Sequence, residues 1–457
     1  MITNWISKTR SRLAEHVHIA PLSLFRVLFG AMMFASVLRF AMKGWIHELY
    51  IKPQFFFKYY GFEWVTVPSE TGLYVLFGTV ALSSLFLMIG LFYRFSSLIF
   101  FLSFTYVELM DKTNYLNHYY FISIVAFLMI FLPAGKYFSL DVYFRPSLRM
   151  THIPKWWTAI LQLQLGMVYF FAGLAKLNPD WLFHAQPLRI WLQPHTDMPL
   201  IGFLMDKVWI AYFFSWFGAF YDLSIPFFLL NQRTRTIAYF FVIVFHVLTA
   251  ILFPIGMFPY IMIICTLIFF PPTFHISVIN KIRSLFFFLR LKEKQSMAPA
   301  YTIRPFVKNA LVALFITHFF IQLIIPFRFL FYPGKLFWTE QGYRFSWRVM
   351  LMEKAGTAFF YVTDLDTHQT GEVMMNNYLT PNQEKMMATQ PDMILQYANF
   401  LKQKFRESGM ENPKITVESY VTLNGKGSRM FLDPSIDLLT LNDGFGNKDW
   451  ILPFDEK

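Results

Sequence analysis

Long apolar runs alternate with short polar segments over residues 21–328. A helix needs about 20 consecutive apolar residues to cross a bilayer, and several of these runs reach or approach that length. The third, fourth, seventh and eighth runs are shorter. Together the runs predict nine transmembrane helices, at residues 21–42, 72–92, 94–110, 118–134, 157–177, 208–230, 236–252, 256–271 and 308–328.

The two ends of the chain have different patterns. Residues 1–20 lack the apolar core of a signal peptide, and they predict an amphipathic helix at the membrane interface. After residue 328 the apolar positions alternate: "AFFYVTD" predicts a strand, "PDMILQYANFLKQKFRESG" a helix, and Asn424-Gly425 the turn of a hairpin. The predicted fold is therefore an α-helical polytopic membrane domain over residues 21–328, followed by a small extramembrane α+β domain over residues 329–457.

The distribution of basic residues predicts the orientation. With a cytoplasmic N-terminus, sixteen Lys and Arg residues fall in inner segments and six in outer loops. Inner loops of membrane proteins carry the excess of positive charge, so this count favours nine spans with the C-terminal domain outside. Merging the seventh and eighth spans would reverse the later part of the chain and place its most basic loop outside.

Composition supports a membrane protein and narrows the chemistry. The chain has 457 residues, of which 56% are hydrophobic and 15% charged. The net charge of +12 lies between the spans, so a nucleic-acid partner is not predicted. A single cysteine, Cys265, excludes an intramolecular disulfide and a cysteine-rich metal site. We find no phosphate-binding loop, no G-x-S-x-G motif and no zinc-type spacing, and we predict no metal site.

Several polar residues interrupt the apolar runs. In the predicted topology, Asn117-His118, Lys176 and His246 lie near the outer membrane face. Ionisable residues at membrane depth are costly, which favours a functional role. Structural roles are the alternatives: Lys176 can extend its amine to the interface, His246 can bond a neighbouring helix, and Asn117-His118 can cap the fourth span.

Asp222 lies in the middle of the sixth span, in "FGAFYDLSIPFF". A carboxylate at that depth requires a partner, and we predict a structural pairing with an Arg or a His. The residues alone leave two classes of protein open, a membrane transporter and an intramembrane enzyme with a polar pocket.

Four segments carry a family resemblance: "DKTNYLNHYYF", "VYFFAGLAKLNPDW", "FHVLTAILFPIGMFPYIMI" and "GYRFSWRVML". They are similar, in the same order, to the vitamin K-dependent gamma-glutamyl carboxylase and its bacterial relatives, the horizontally transferred transmembrane domain proteins. The similarity runs from about residue 15 to 440. That family couples oxygenation of vitamin K hydroquinone to its epoxide with removal of a γ-proton from glutamate, to which CO2 then adds.

The resemblance implies roles for individual residues. Lys176 matches the family's catalytic base, and His118 matches the histidine that assists it. Asn117 matches the asparagine that binds a quinol oxygen, and His246 matches the histidine before the "IGMFPY" turn. The implied cofactor is vitamin K hydroquinone or menaquinol, with O2 and CO2 as co-substrates. Desolvation disfavours an ammonium, so we expect Lys176 to act as a neutral amine beside a quinol pocket.

The resemblance also implies partners and a location. The partners are the quinol, a glutamate-containing peptide or protein, and membrane lipid. The location is a bacterial inner membrane, with the C-terminal domain on the periplasmic side. Two departures leave alternatives open: Ala175 replaces the first of two adjacent lysines in the animal enzymes, and the sequence stops early in the animal outer domain. The alternatives are a quinol epoxidase without carboxylation and a non-enzymatic transporter or assembly protein.

Overall fold

The computed structural model describes residues 2–285, 301 and 303–454, and the first part of the chain is helical. Two short strands, β1 (His16–His18) and β2 (His152–Pro154), pair antiparallel within this part. Its helices are α1 (Ile2–Ala14), α2 (Ala20–Met42), α3 (Glu70–Ile89), α4 (Tyr93–Met110), α5 (Asn117–Phe131), α6 (Leu140–Phe144), α7 (Trp156–Ala175), α8 (Pro179–His184), α9 (Leu188–Leu192), α10 (Gly202–Met205), α11 (Val208–Leu230), α12 (Arg235–Leu252), α13 (Phe258–Thr266), α14 (Pro272–Leu285) and α15 (Pro305–Ile324).

Six helices in the described residues are long and apolar enough to cross a membrane, or seven if one bent pair forms a single span. Each of the nine predicted spans coincides with a helix, but the prediction of nine full spans is not confirmed. The six are Ala20–Met42, Glu70–Ile89, Trp156–Ala175, Val208–Leu230, Arg235–Leu252 and Pro305–Phe331.

The three remaining predicted spans differ for separate physical reasons. Helix α4 has 18 residues but carries Arg94 and Glu108. Helix α5 has 15 residues, a length of about 22 Å at 1.5 Å per residue, and most of its side chains are buried against other helices. The segment Phe258–Phe269 meets Pro272–Leu285 at 117°, because Pro271 and Pro272 interrupt the helix between them.

The predicted orientation stays a prediction, since it rests on the span count. Part of the most basic predicted inner loop also lies outside the described residues, including Arg290, Lys292 and Lys294.

The C-terminal region (residues 332–454) has the predicted α+β character. Its antiparallel sheet has β3 (Lys354–Asp364) between β4 (Thr370–Glu372) and β5 (Pro413–Leu423), with β6 (Lys426–Met430) on the other side of β5. Helix α18 (Pro391–Glu407) packs against β5. Asn424 and Gly425 join β5 to β6 with φ of 53° and 74°, a turn that suits these two residue types. The predicted strand, helix and hairpin are confirmed. Two shorter helices, α16 (Leu336–Thr339) and α17 (Pro381–Met387), also belong to this region.

One hydrophobic core joins the C-terminal region to the helical part. Trp181 of α8 and Leu252 of α12 belong to the same buried cluster as Phe360 of β3 and Tyr397 of α18. The ends of α7 and α12 therefore lie on the side of the membrane helices that carries the C-terminal region, and so does the start of α5, where the Asn117 amide donates to the Arg348 carbonyl. We call it the domain side.

Buried polar contacts cross the same boundary. The Lys112 amine lies 2.5 Å from the Asp392 carboxylate, and Arg344 donates to that carboxylate at 2.8 Å. Burial alone would raise the pKa of Asp392, but the charges of Arg344 and Lys112 hold it well below its usual range. The carboxylate therefore stays ionised at neutral pH and fixes the loop before α5 to the start of α18.

Candidate active site

Lys176 follows the last residue of α7, where α7 packs tightly against α11. Gly173 allows this approach: a Cβ there would lie 2.6 Å from the backbone nitrogen of Leu223. The helix axes can therefore come together one turn before Lys176. As a result the Lys176 Nζ donates to the Asp222 Oδ2 at 2.6 Å.

The Lys176–Asp222 pair is enclosed by protein. The two side chains are 8% and 6% exposed, and the indole ring of Trp181 lies 5.4 Å from the amine. Lys176 is therefore bound to a carboxylate, a contact that the sequence did not predict, and its role as a neutral amine stays a prediction. The predicted Arg or His partner for Asp222 was wrong, and Lys176 takes that place. The sequence separation of 46 residues explains why the pair was missed.

A second polar group lies two turns earlier on the same face of α7. The Tyr169 hydroxyl is 3.0 Å from His246 Nε2 and 3.3 Å from the Thr266 hydroxyl. Tyr221, which precedes Asp222 on α11, brings its ring to 6.1 Å from that of Tyr169 and 6.5 Å from that of His246. Both helices that carry the ion pair therefore also place a tyrosine beside His246.

The two predicted histidines approach each other around one aromatic ring. The centroid of the Phe258 ring lies 6.1 Å from that of His118 and 5.8 Å from that of His246. Both imidazoles are buried. Within the described residues, His246 Nδ1 is enclosed without a hydrogen-bond partner, and the His118 ring makes no hydrogen bond. Both rings therefore retain polar atoms that a bound hydroxyl group can use.

Asn117 lies beside His118 in sequence but makes different contacts. Its side-chain amide donates to the backbone carbonyl of Arg348 at 3.0 Å and accepts from the Tyr115 hydroxyl at 3.1 Å. These bonds fix the start of α5 to the C-terminal region. One N–H of the amide remains for another acceptor.

A cavity of about 760 Å³ opens on another face of the end of α7. Ala175 and Leu177 line it, but Lys176 between them does not, because its amine turns toward α11. The cavity and the Lys176–Asp222 pair are therefore separate features of the same helix end.

Sequence reasoning missed four residues of this site, namely Tyr169, Tyr221, Phe258 and Thr266. One signal was available: Tyr169 precedes Lys176 by seven residues, which places both on one face of a helix. The described residues contain no group of three or more His, Cys, Asp or Glu side chains that could hold a metal ion.

Two protein-family models match the chain. The family model for the HTTM domain matches residues 15–274, more than half of the chain. The model for the vitamin K-dependent gamma-carboxylase lumenal domain matches residues 307–457. No solved structure matches the chain. With long apolar helices and both matches in one polypeptide, the chain is a membrane protein that belongs to the vitamin K-dependent gamma-carboxylase family.

Proposed function

We propose that the protein is a quinol-dependent gamma-glutamyl carboxylase that also epoxidises its quinol. Its substrates would be vitamin K hydroquinone or menaquinol, O2, CO2 and a glutamate side chain of a peptide or protein. The family membership supports the reaction class. The observation that carries the proposal is the buried Lys176–Asp222 pair at the domain side of the membrane helices.

The pair can hold and move a proton at Lys176 Nζ. Two opposite charges in an apolar site lose much of their hydration, so the ionised pair is less favoured over its neutral form than it is in water. Transfer of the proton to Asp222 leaves a neutral amine without releasing a proton to solvent. A neutral amine can act as a general base toward an acidic hydroxyl group.

The histidines and Asn117 are the residues that would hold the quinol. The unsatisfied His246 Nδ1, the His118 ring and the remaining N–H of Asn117 offer polar atoms to hydroxyl or carbonyl oxygens. Phe258 supplies an apolar surface between the two imidazoles. When bound, the quinol supplies the electrons that reduce O2 and, through its oxygenation, the basicity that glutamate γ-deprotonation requires. The enclosing side chains exclude water from the reacting groups.

The proposal is tested with three samples in nanodiscs: Lys176→Ala, the same variant with a small added amine, and Lys176→Arg. Each is given reduced vitamin K, O2 and labelled bicarbonate, and is assayed for epoxide and for carboxylated glutamate peptide. We expect Lys176→Ala to lose turnover, the amine to restore part of it, and Lys176→Arg to stay inactive because guanidinium remains protonated. Lys207→Ala, which removes an exposed lysine, is the control. Wild-type turnover in the Arg variant would end the base assignment.

The same assay separates the alternative activities. Epoxide without carboxylated peptide would identify a quinol epoxidase. Neither product, from a protein with normal thermal stability, would favour a transporter or assembly protein on the same scaffold.

We also propose a bacterial inner-membrane location with the C-terminal region on the periplasmic side. Cys265 is buried, so a Thr440→Cys variant places one accessible thiol on that region. An impermeant maleimide should label it in intact cells. Labelling only after lysis would reverse the proposed orientation.

A further inference from the structure

The cavity beside α7 has one apolar wall and one charged wall. The apolar wall comes from the domain-side end of α7 and from the segment Ile325–Phe331 that follows α15, and it includes Phe171, Leu174 and Phe327. The charged wall comes mainly from the C-terminal region. Its charged residues are Lys335, Arg348, Lys426 and, from α8, Asp180. Three cationic side chains and one carboxylate therefore line a space at the ends of membrane helices.

Asp180 already has protein partners. Lys335 lies 3.1 Å and Lys426 3.4 Å from its carboxylate, and the Asn424 amide donates to it at 3.0 Å. Although burial alone would raise the pKa of Asp180, its bond to Lys335 and the two lysine charges lower it. This carboxylate is thus committed to the lysines.

Arg348 differs from its neighbours in the cavity. The residue is only 9% exposed, and its guanidinium makes no hydrogen bond or ion pair with any residue that the structure describes. Its Nε is fully enclosed, and the Phe329 ring lies 4.4 Å from the guanidinium carbon. By contrast, Arg344 on the same segment is paired with Asp392. Burial lowers the pKa of Arg348 to about 10, so the group remains charged at neutral pH.

A buried charge without a partner is costly, and a guanidinium presents donors in a fork that fits a phosphate or carboxylate. A neutral quinol supplies no charge to balance it. The apolar wall lies at the ends of the membrane helices, and the charged wall lies next to it on the side of the C-terminal region. A phospholipid has the same sequence of an apolar acyl chain followed by a charged headgroup. We propose that the cavity binds the phosphate of an anionic phospholipid from the domain-side leaflet, with Arg348 as its anchor and the acyl chain along Phe171, Leu174 and Phe327.

The proposal does not depend on the reaction, and it is tested by lipid binding. Wild-type protein, Arg348→Gln and Arg189→Gln are titrated in detergent with phosphatidylglycerol or phosphatidylcholine, and bound lipids are counted by native mass spectrometry. Arg189 is an exposed arginine outside the cavity and serves as the matched control. We expect Arg348→Gln to weaken phosphatidylglycerol binding by at least about tenfold, the scale of a lost charge-assisted bond. Arg348→Gln should bind phosphatidylcholine as the wild type does. Arg189→Gln should bind both lipids as the wild type does.

Stability measurements separate binding from a structural role. In lipid-free micelles Arg348→Gln should unfold at the wild-type temperature or above it, because a buried unpaired charge is removed. Phosphatidylglycerol should raise the unfolding temperature of the wild type more than that of the variant. If Arg348→Gln were unfolded in lipid-free micelles at temperatures where the wild type is folded, Arg348 would have a structural role and the proposal would be refuted.

Competing anions distinguish the sources of the phosphate. Equal phosphatidylglycerol binding by the wild type and Arg348→Gln would refute the site. If inorganic phosphate raised the unfolding temperature as much as phosphatidylglycerol does, the cavity would be a site for soluble anions. If a glutamate peptide displaced the lipid, the cavity would be a peptide site. Both results would overturn the assignment to lipid. Lys176→Ala should bind phosphatidylglycerol normally, so loss of turnover and loss of lipid binding are independent results.

Discussion

Removing the charge of Asp222 alone should destabilise the protein strongly. In Asp222→Asn, Lys176 either keeps an unpaired charge in a buried site or gives up its proton. The first costs about 3–5 kcal/mol for a broken buried pair. The second also breaks the ion pair and leaves a buried amine beside a neutral amide. We therefore expect Asp222→Asn to lose about 3–5 kcal/mol in the free energy of unfolding.

Removing both charges should recover most of that loss. Replacing a buried ion pair by apolar side chains of similar size is often neutral or stabilising. We therefore expect Lys176→Met/Asp222→Leu to lie within about 1 kcal/mol of the wild type or above it, while losing all turnover. A result of this kind would show that the pair is retained for chemistry at the expense of stability.

The exposed pair Lys207–Asp206 provides a matched control. Its amine and carboxylate are 3.0 Å apart, but the side chains are about half exposed, at 52% and 50%. Asp206→Asn should cost less than about 1 kcal/mol, as exposed pairs do. Equilibrium unfolding in mixed micelles measures all four proteins. If Asp222→Asn and Asp206→Asn were equally stable, the buried pair would not exist in the folded protein.

Three further predictions concern other parts of the structure. Asp392→Asn should destabilise the protein by about 3 kcal/mol at pH 7. Because the folded-state pKa of Asp392 is depressed, the ionised carboxylate stabilises the fold above its unfolded pKa of ~3.9, and this stabilisation is lost as the pH falls below that value. A pH series of unfolding should therefore show the stability difference between Asp392→Asn and the wild type persisting down to about pH 5 and shrinking only below about pH 4. Gly173→Ala should destabilise the protein by about 1–3 kcal/mol and reduce turnover, because the added Cβ would overlap α11. Gly166→Ala is the control and should be neutral or stabilising, since a Cβ at Gly166 would lie an ordinary 3.7 Å from Pro226. Equal thermal stabilities of the two variants would show that α7 and α11 do not approach closely at Gly173. His118→Ala should lower epoxide formation about 10²-fold and His246→Ala less, and wild-type turnover in both would return the histidines to structural roles.

Local pattern was sufficient for much of the fold. The apolar runs located the helices, and the Asn424-Gly425 turn located the hairpin, because both depend on neighbours in sequence. Span count was harder, since a short helix such as α5 is recognised as a complete or partial span only from what surrounds it. The bend before α14 was missed even though Pro271-Pro272 marked it.

The site was predicted less completely. Lys176, His118 and His246 were selected as polar residues in apolar runs, and the structure places the two histidines around Phe258. The partner of Lys176 was not predictable, because α7 and α11 are apolar around most of their surface and their composition does not say which faces meet. Gly173 is the small residue that lets the two helices meet, but this role can be recognised only when the packing of α11 against α7 is known.

The shared core between the membrane helices and the C-terminal region has an evolutionary consequence. Both parts contribute side chains to one packed interior, so a change of shape on one side of it affects the other. A recombination event that joined the helices of one relative to the C-terminal region of another would bring together surfaces that had diverged independently. Substitutions on the two sides of the boundary should therefore accumulate in compensating pairs, and the two parts should have been inherited together.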